Sequence, residues 1–236
     1  MRNTRLTNES PDYLARREEL RLAEIDLMKQ RERVADLRRR LPEGAMVKDY
    51  AFQEGPADLN AGDTPIRTVR LSELFSSPGR RLIVYHLMFG KAQTTACPMC
   101  TLWIDGFNGV APHLAQNVDF VIAAAADPPT LRDHARSRGW RNLRLLSCGT
   151  SSFKYDLGSE DEDGNQESTV SVFTRDKQGA IRHFYTAHPQ MADDIHQRGL
   201  DLLNPVWHLL DLTPQGRDDW YPELAYASGP LTAARS

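Results

Sequence analysis

Residues 82–89, Leu-Ile-Val-Tyr-His-Leu-Met-Phe, constrain this chain more than any other segment. A half-exposed strand alternates apolar and polar side chains, and this run scarcely does, so both of its faces need cover. Helices packed on the two sides of a sheet supply that cover, which makes an α/β architecture the expectation. Residues 118–126 and the shorter 143–147 repeat the pattern. The helices between them are marked by their ends: Pro98 opens one that runs toward Gln116, and Asp127-Pro128-Pro129 opens another that stops at Gly139. Strand and helix in alternation imply parallel crossovers. Residues 169–174 and 180–186 then flank Arg175-Asp176-Lys177-Gln178-Gly179 as a β-hairpin, and 193–210 reads as a closing amphipathic helix.

The flanks follow other rules. Residues 11–41 contain no glycine, begin at Ser10 and Pro11 and end in Arg38-Arg39-Arg40-Leu41 before Pro42, the signature of one long helix. Leu20, Leu27, Val34 and Leu41 recur at every seventh position, a stripe that either packs on the chain's own core or pairs with a second copy. Residues 46–52 and 66–71 read as short strands, and 71–75 as a single helical turn. The acidic, glycine-bearing stretch 158–168 reads as a mobile surface loop. Trp220, Tyr221 and Tyr226 follow no period, so the tail is expected to strap over the core or a neighbour and to fray from Ser228. The expected organisation is an amphipathic helix at 1–45, a principal domain at 46–213, and a strap and tail at 214–236.

Composition excludes several classes of function. With 26% charged residues and no long apolar segment, a membrane protein is not expected, and a formal net charge of -3 gives no field to draw nucleic acid. No apolar signal-peptide core follows Met1, so a cytoplasmic location is expected. Three cysteines are too few for a disulfide scaffold, and an odd number cannot all pair within one chain. No glycine-rich phosphate loop, paired-carboxylate signature or G-x-S-x-G appears, and no cofactor is implied.

What remains is Cys97-Pro98-Met99-Cys100, placed where the buried run 82–89, after a short loop, feeds a helix. Two residues three apart in a first helical turn bring their Cα atoms to about 5–6 Å, the span of a disulfide. Pro98 fits the first helical position, where its missing N–H has no partner to lose. The helix N-terminus favours a thiolate on Cys97, which makes Cys97 the expected nucleophile and Cys100 the expected resolving thiol. Pro98, Met99 and Thr94 are the supporting residues. Zinc uses the same C-x-x-C spacing, but the one remaining cysteine is Cys148 and the histidines form no matching pair, although His183 and His188 flank a strand end.

Taken with Arg38-Arg39-Arg40-Leu41-Pro42, Lys48-Asp49-Tyr50, the run through Gly90, Trp103 and Asp105, Gly139-Trp140 and residues 209–217 (Leu-Leu-Asp-Leu-Thr-Pro-Gln-Gly-Arg), the motif resembles a bacterial domain-of-unknown-function family described as thioredoxin-like or as dithiol-disulfide oxidoreductases. The resemblance covers nearly the whole chain. It implies the peroxiredoxin-like branch of the thioredoxin fold, a mixed sheet flanked by helices, with Cys97 and Cys100 as the redox pair. Against better-known thioredoxins, Ala96 replaces an aromatic residue, and Lys91 takes the place of a buried carboxylate. Glu167-Ser168-Thr169 stands where a cis-proline would face the pair.

The function expected is thiol-disulfide exchange with a protein or small-molecule disulfide, driven by a cellular thiol reductant, in a homodimer. Two alternatives use the same residues. Thr94-Thr95-Ala96-Cys97 resembles the peroxiredoxin T-x-x-C, which would make Cys97 peroxidatic, with Arg144 or Arg175 supplying a guanidinium. A non-catalytic or copper(I)-binding protein would join the cysteines to His183 or His188. His86, inside the buried run, reads as a hydrogen-bonded core residue, Trp103, Phe107 and Leu114 as core, and Cys148 as an isolated small residue.

Overall fold

The computed structural model describes residues 6–189, 203–217 and 219–226. Its contacts divide the chain into two units, Met1–Glu43 and Gly44–Ser236. The first unit is built on one helix, α1 (Pro11–Arg39). Ser10 Oγ caps it by accepting from the Tyr13 N–H at 3.2 Å, and Pro11 takes the first helical position. Helical geometry stops at Arg39, with Arg40 as cap, because the residue before a proline is steered out of the helical region and Leu41 precedes Pro42. The seven-residue stripe therefore loses its last member. No residue of α1 is buried, and Leu20 and Leu27 are 58% and 53% exposed. Ion pairs one turn apart, such as Arg21 with Glu18 and Arg40 with Asp36, lend the helix a few tenths of a kcal/mol each.

The second unit holds a seven-stranded mixed sheet in the order β2-β1-β5-β4-β3-β6-β7. The strands are β1 (Ala51–Glu54), β2 (Arg67–Arg70), β3 (Arg81–Leu87), β4 (Asp119–Ala124), β5 (Arg144–Ser147), β6 (Thr169–Arg175) and β7 (Ile181–Ala187). Helices α2 (Pro98–Leu114) and α3 (Pro128–Arg138) cross between the parallel strands β3, β4 and β5. β6 and β7 form the expected antiparallel hairpin, and β6 runs antiparallel to β3. The set β4-β3-β6-β7, a parallel pair joined through a helix and continued by an antiparallel hairpin, is the thioredoxin-like arrangement; β1, β2 and β5 widen it. A 3₁₀ turn at Leu71–Leu74 and short helices α4 (Phe153–Asp156) and α5 (Pro205–Leu210) complete the described elements. Of the closing helix expected at 193–210, residues 193–202 lie outside the described residues, as does the tail from Ser228.

β3 has cover on both faces, as its composition demanded. Ile83, Tyr85 and Leu87 turn to a cluster with Trp103, Ile104 and Phe107 of α2, Ile122, and Leu131 and Ala135 of α3. Leu82 and Val84 turn to the other side with Phe52, Leu71, Val121, Leu146, Phe153 and Phe173. His86 shares that second face, stacked 5.0 Å from the Phe153 ring and bonded to Ser159 Oγ (2.7 Å) and Ser171 Oγ (3.0 Å). It is a core histidine, kept well below its usual pKa by burial and by the neighbouring Lys154.

The strand expected over 82–89 ends at Leu87, because the next two residues hold other segments. The Met88 carbonyl accepts from the Cys97 N–H at 3.1 Å, and the Phe89 carbonyl from the Ala126 N–H at 2.9 Å. Gly90 then turns at φ +104°; a Cβ there would run into the Ala125–Ala126 peptide, so only glycine lets the chain leave the sheet so close to the end of β4.

Candidate active site

Cys97 sits at the cap of α2 and Cys100 one turn inside it. The Cys97 sulfur takes the role a serine or aspartate oxygen usually fills, accepting from the Cys100 backbone N–H at 3.5 Å, with Pro98 at the first helical position. The two thiols are reduced. Both are buried, Cys97 at 8% exposure and Cys100 at 0%, so Cys97 is the one with any opening to solvent. Met99 is buried beside them and Pro98 partly exposed, while Thr94 lies exposed in the preceding loop.

Electrostatics divides the pair the other way. The Cys97 thiol, the Tyr85 hydroxyl, the Met88 N–H and the Ser168 hydroxyl are the polar groups that act on the Cys100 sulfur. Against the penalty of full burial, those donors draw the Cys100 thiol down to about 6. Cys97 moves up instead, because its proton is shared with Cys100 and because it is buried. The helix-terminus argument had placed the charge on Cys97. In the folded chain the two thiols act on each other as one buried pair, Cys100 drawn down and Cys97 up, while the Cys97 sulfur keeps the backbone N–H at the helix start.

One of these donors, Ser168, comes from a segment that composition had marked as mobile. Tyr85 OH and Ser168 Oγ are 3.0 Å apart, and Ser168, where a thioredoxin would carry its cis-proline, is buried. Ser159 and Gln166 of the same stretch are buried too, with Asp161 accepting from the Asp163 and Asn165 N–H groups at 3.0 and 2.8 Å. Glu160 forms an ion pair with Lys91. Lys91 is thus a surface residue, and the buried ionisable group near the pair is Lys154, 1% exposed.

The strap lies over the entrance to Cys97. Tyr221 stands beside the pair, and burial together with the two cysteines pushes its hydroxyl up to about 12. Trp220 packs edge-on against Trp207 of α5, the Leu224 carbonyl accepts from Arg138 at 2.9 Å, and Tyr226 OH reaches both Arg138 and Asp105. A cavity of about 430 Å³ opens there, lined by Pro98 and Leu102 of α2, Asp105, Arg138, Tyr221 and Tyr226.

The guanidiniums considered for a peroxidatic site are engaged elsewhere. Arg144 is bonded to Glu54 at 2.7 and 3.1 Å, and Arg175 donates to the Ser72 carbonyl at 2.8 Å over the Phe75 ring. Among the described residues no group of three or more His, Cys, Asp or Glu side chains gathers to hold a metal ion, so neither His183 nor His188 joins the cysteines. His183 bonds Thr186 Oγ1 at 2.6 Å instead. Cys148, at the end of β5, donates to the Ala124 carbonyl at 3.2 Å. No helix among the described residues is long and apolar enough to cross a membrane.

A family model described as "Bacterial protein of unknown function (DUF899)" matches residues 2–228. No curated protein matches the chain. Among solved structures, Mycobacterium tuberculosis AhpC is similar at 17% identity and a TM-score of 0.46, over 69% of this chain and 89% of that one. The X-ray structure of a peroxiredoxin is similar at 15% and 0.47 over 67% and 94%. Plasmodium falciparum antioxidant protein, a 1-Cys peroxiredoxin, gives 16% and 0.46 over 67% and 94%.

Proposed function

The chain belongs to this bacterial family of unknown function, and we propose that it is a thiol-disulfide oxidoreductase in which Cys97 attacks and Cys100 first serves as base and then resolves. The observation that carries the reading is a pair of reduced thiols one turn apart at the start of α2, only the outer of which has any opening to solvent. As Cys97 Sγ attacks one sulfur of a substrate disulfide, its proton passes to the Cys100 thiolate, and the substrate's other sulfur leaves as a thiolate. Cys100 then gives up that proton to solvent or to the departed thiolate and attacks Cys97 Sγ. The second substrate thiolate leaves, and a Cys97–Cys100 disulfide remains. Two electrons have passed from the pair to the substrate, and a cellular thiol reductant returns them.

The substrate is a protein or small-molecule disulfide, and its approach lies along the cavity beside Pro98 and Tyr221. A cytoplasmic, reducing location suits a pair that must be returned to the dithiol. The exposed leucines of α1 are the surface proposed for a second copy of the chain.

The test is reduction of insulin disulfides, run beside consumption of hydrogen peroxide with the same thiol reductant. Wild-type protein should accelerate the first, and Cys97→Ser should lower that rate by about a thousandfold or more, as loss of a nucleophile does. Rapid peroxide consumption with no disulfide reduction would replace this reading by the peroxidatic one.

A further inference from the structure

A second cavity, of about 350 Å³, lies between the loop after β1, helix α3 and the turn before β5, and no cysteine lines it. Four guanidiniums line it, those of Arg67, Arg132, Arg141 and Arg144, and Glu54 is the one carboxylate on its wall among the described residues. The chain as a whole carries a formal net charge of -3, so this gathering of cations is a local property of the fold.

The charged groups are not equivalent. Arg132 is 3% exposed and structural: it donates to Asp63 Oδ1 at 3.0 Å and to the carbonyls of Pro56, Asp58 and Gly62, which ties down the loop that forms one wall. Gly55 makes room for it, because a Cβ there would stand 2.7 Å from Arg132 Cδ. Glu54 is buried and accepts from Arg144 Nε at 2.7 Å and from Arg67 Nη2 at 2.8 Å. Against the cost of burial those two arginines hold its carboxyl below the usual range, yet its single charge offsets only one of them. Their bonds to Glu54 use Nε and Nη2 and leave each Nη1 without a protein partner. The Arg141 guanidinium has no partner among the described residues. Its backbone is nevertheless held, since Trp140 is buried and the Asn142 N–H donates to Asn108 Oδ1 at 3.0 Å.

We propose that this cavity binds a small organic anion, a phosphate monoester or a carboxylate with a few carbons, through Arg67, Arg141 and Arg144. A guanidinium stays charged at every physiological pH, and its paired N–H donors match the oxygens of either group. With Arg132 committed to Asp63, three cations share one carboxylate, and an anion supplies the charge and the acceptors that the wall lacks. Glu54 is the positioning residue: by holding two guanidiniums in place it lowers the side-chain entropy lost on binding. Leu59, Leu143 and Leu145, all mostly buried, line the same cavity and give a short carbon chain apolar contact. The volume is near the lower limit for ligand sites, which keeps the ligand small.

The test is calorimetric titration of the full chain with butyl phosphate and with pentanoate at low ionic strength, repeated on Arg141→Gln and on Arg81→Gln. Arg141 has no side-chain bond in the fold to lose, so its variant keeps the fold. Arg81 is an exposed cation at the start of β3 that does not line the cavity, and it controls for charge alone. At least one of the anions should bind at one site per chain. Arg141→Gln should weaken that binding about tenfold or more, as loss of a hydrogen bond between charged partners does, and Arg81→Gln less than about twofold. Binding of butyl phosphate alone assigns the site to phosphate, binding of pentanoate alone assigns it to carboxylate, and binding of both supports the shared chemistry. No saturable binding of either anion, an Arg141→Gln affinity equal to wild type, or an equal loss in Arg81→Gln overturns the proposal. The readout involves no thiol, so its outcome is separate from that of the disulfide assay.

Discussion

β3 and β5 are parallel strands on either side of β4, and each is followed by cysteine, yet the chain gives the two ends opposite chemistry. Past β3, Gly90 and a short loop lead into α2, and Cys100 meets donors from Tyr85, Met88, Ser168 and Cys97. Past β5, the Cys148 sulfur meets the Ala124 carbonyl, an acceptor that can only stabilise the protonated thiol, and burial pushes it up to about 11. Both sulfurs are equally shut from water, at 0% and 1% exposure. Burial alone therefore does not decide whether a cysteine is inert. The sign of the dipoles pointing at it does.

The widest expected gap between the two ends is in labelling. At pH 7 iodoacetamide should modify the redox pair at least about a thousandfold faster than Cys148, because a thiol pushed up to about 11 holds only about one part in ten thousand as thiolate. Mass spectrometry of partly labelled native protein reads the ratio, and equal labelling would dissolve the distinction.

Stability against pH should diverge next. Cys100 is drawn down to about 6 from an ordinary 9, so its ionisation adds stability as pH rises from 6 toward 9, by up to about 1.4 kcal/mol per pH unit, and that contribution is lost as pH falls through 6. The upward shift of Cys97 works against it only above 9. Cys148, raised from 9 to about 11, contributes stability that is whole below 9 and is lost as pH rises through 11. Urea unfolding of the reduced protein against Cys100→Ser should widen in its favour between pH 6 and 9; against Cys148→Ser it should narrow only above 9.

The smallest effect is also the most local. Tyr85→Phe removes one donor from Cys100, a hydrogen bond to charge of about 1.5 kcal/mol, and should raise the alkylation midpoint by about one unit. Cys148 should keep its reactivity on unfolding unchanged. A Tyr85→Phe midpoint equal to wild type would mean that the charge does not rest on Cys100.

Much of the frame was legible along the chain because it depends on neighbours in sequence. Asp127 with Pro128 and Gly139 delimit α3 as expected, Asp127 accepting from the Thr130 N–H at 3.0 Å and Gly139 turning left-handed at φ 70°. Cys97 and Cys100 meet because three residues span one helical turn. α4 escaped notice, since one turn around Phe153 carries no periodicity, and so did the ordering of 158–168. There Ser159 and Ser168 are fixed by His86 and Tyr85, partners more than seventy residues away. Tyr221 stood out in the sequence only as an aromatic without a period.

The sequence by itself determined that the chain would build a covered parallel sheet and set a pair of thiols at a helix start, because unbroken apolar runs, prolines, caps and a three-residue spacing act locally. Only the tertiary structure decided what surrounds the two sulfurs: the Tyr85 and Ser168 hydroxyls, the buried Lys154 and the strap beside Pro98. Those outcomes depend on the direction of dipoles brought together from β3, α4, the 158–168 segment and the strap, and direction in space is not encoded in any one stretch of chain.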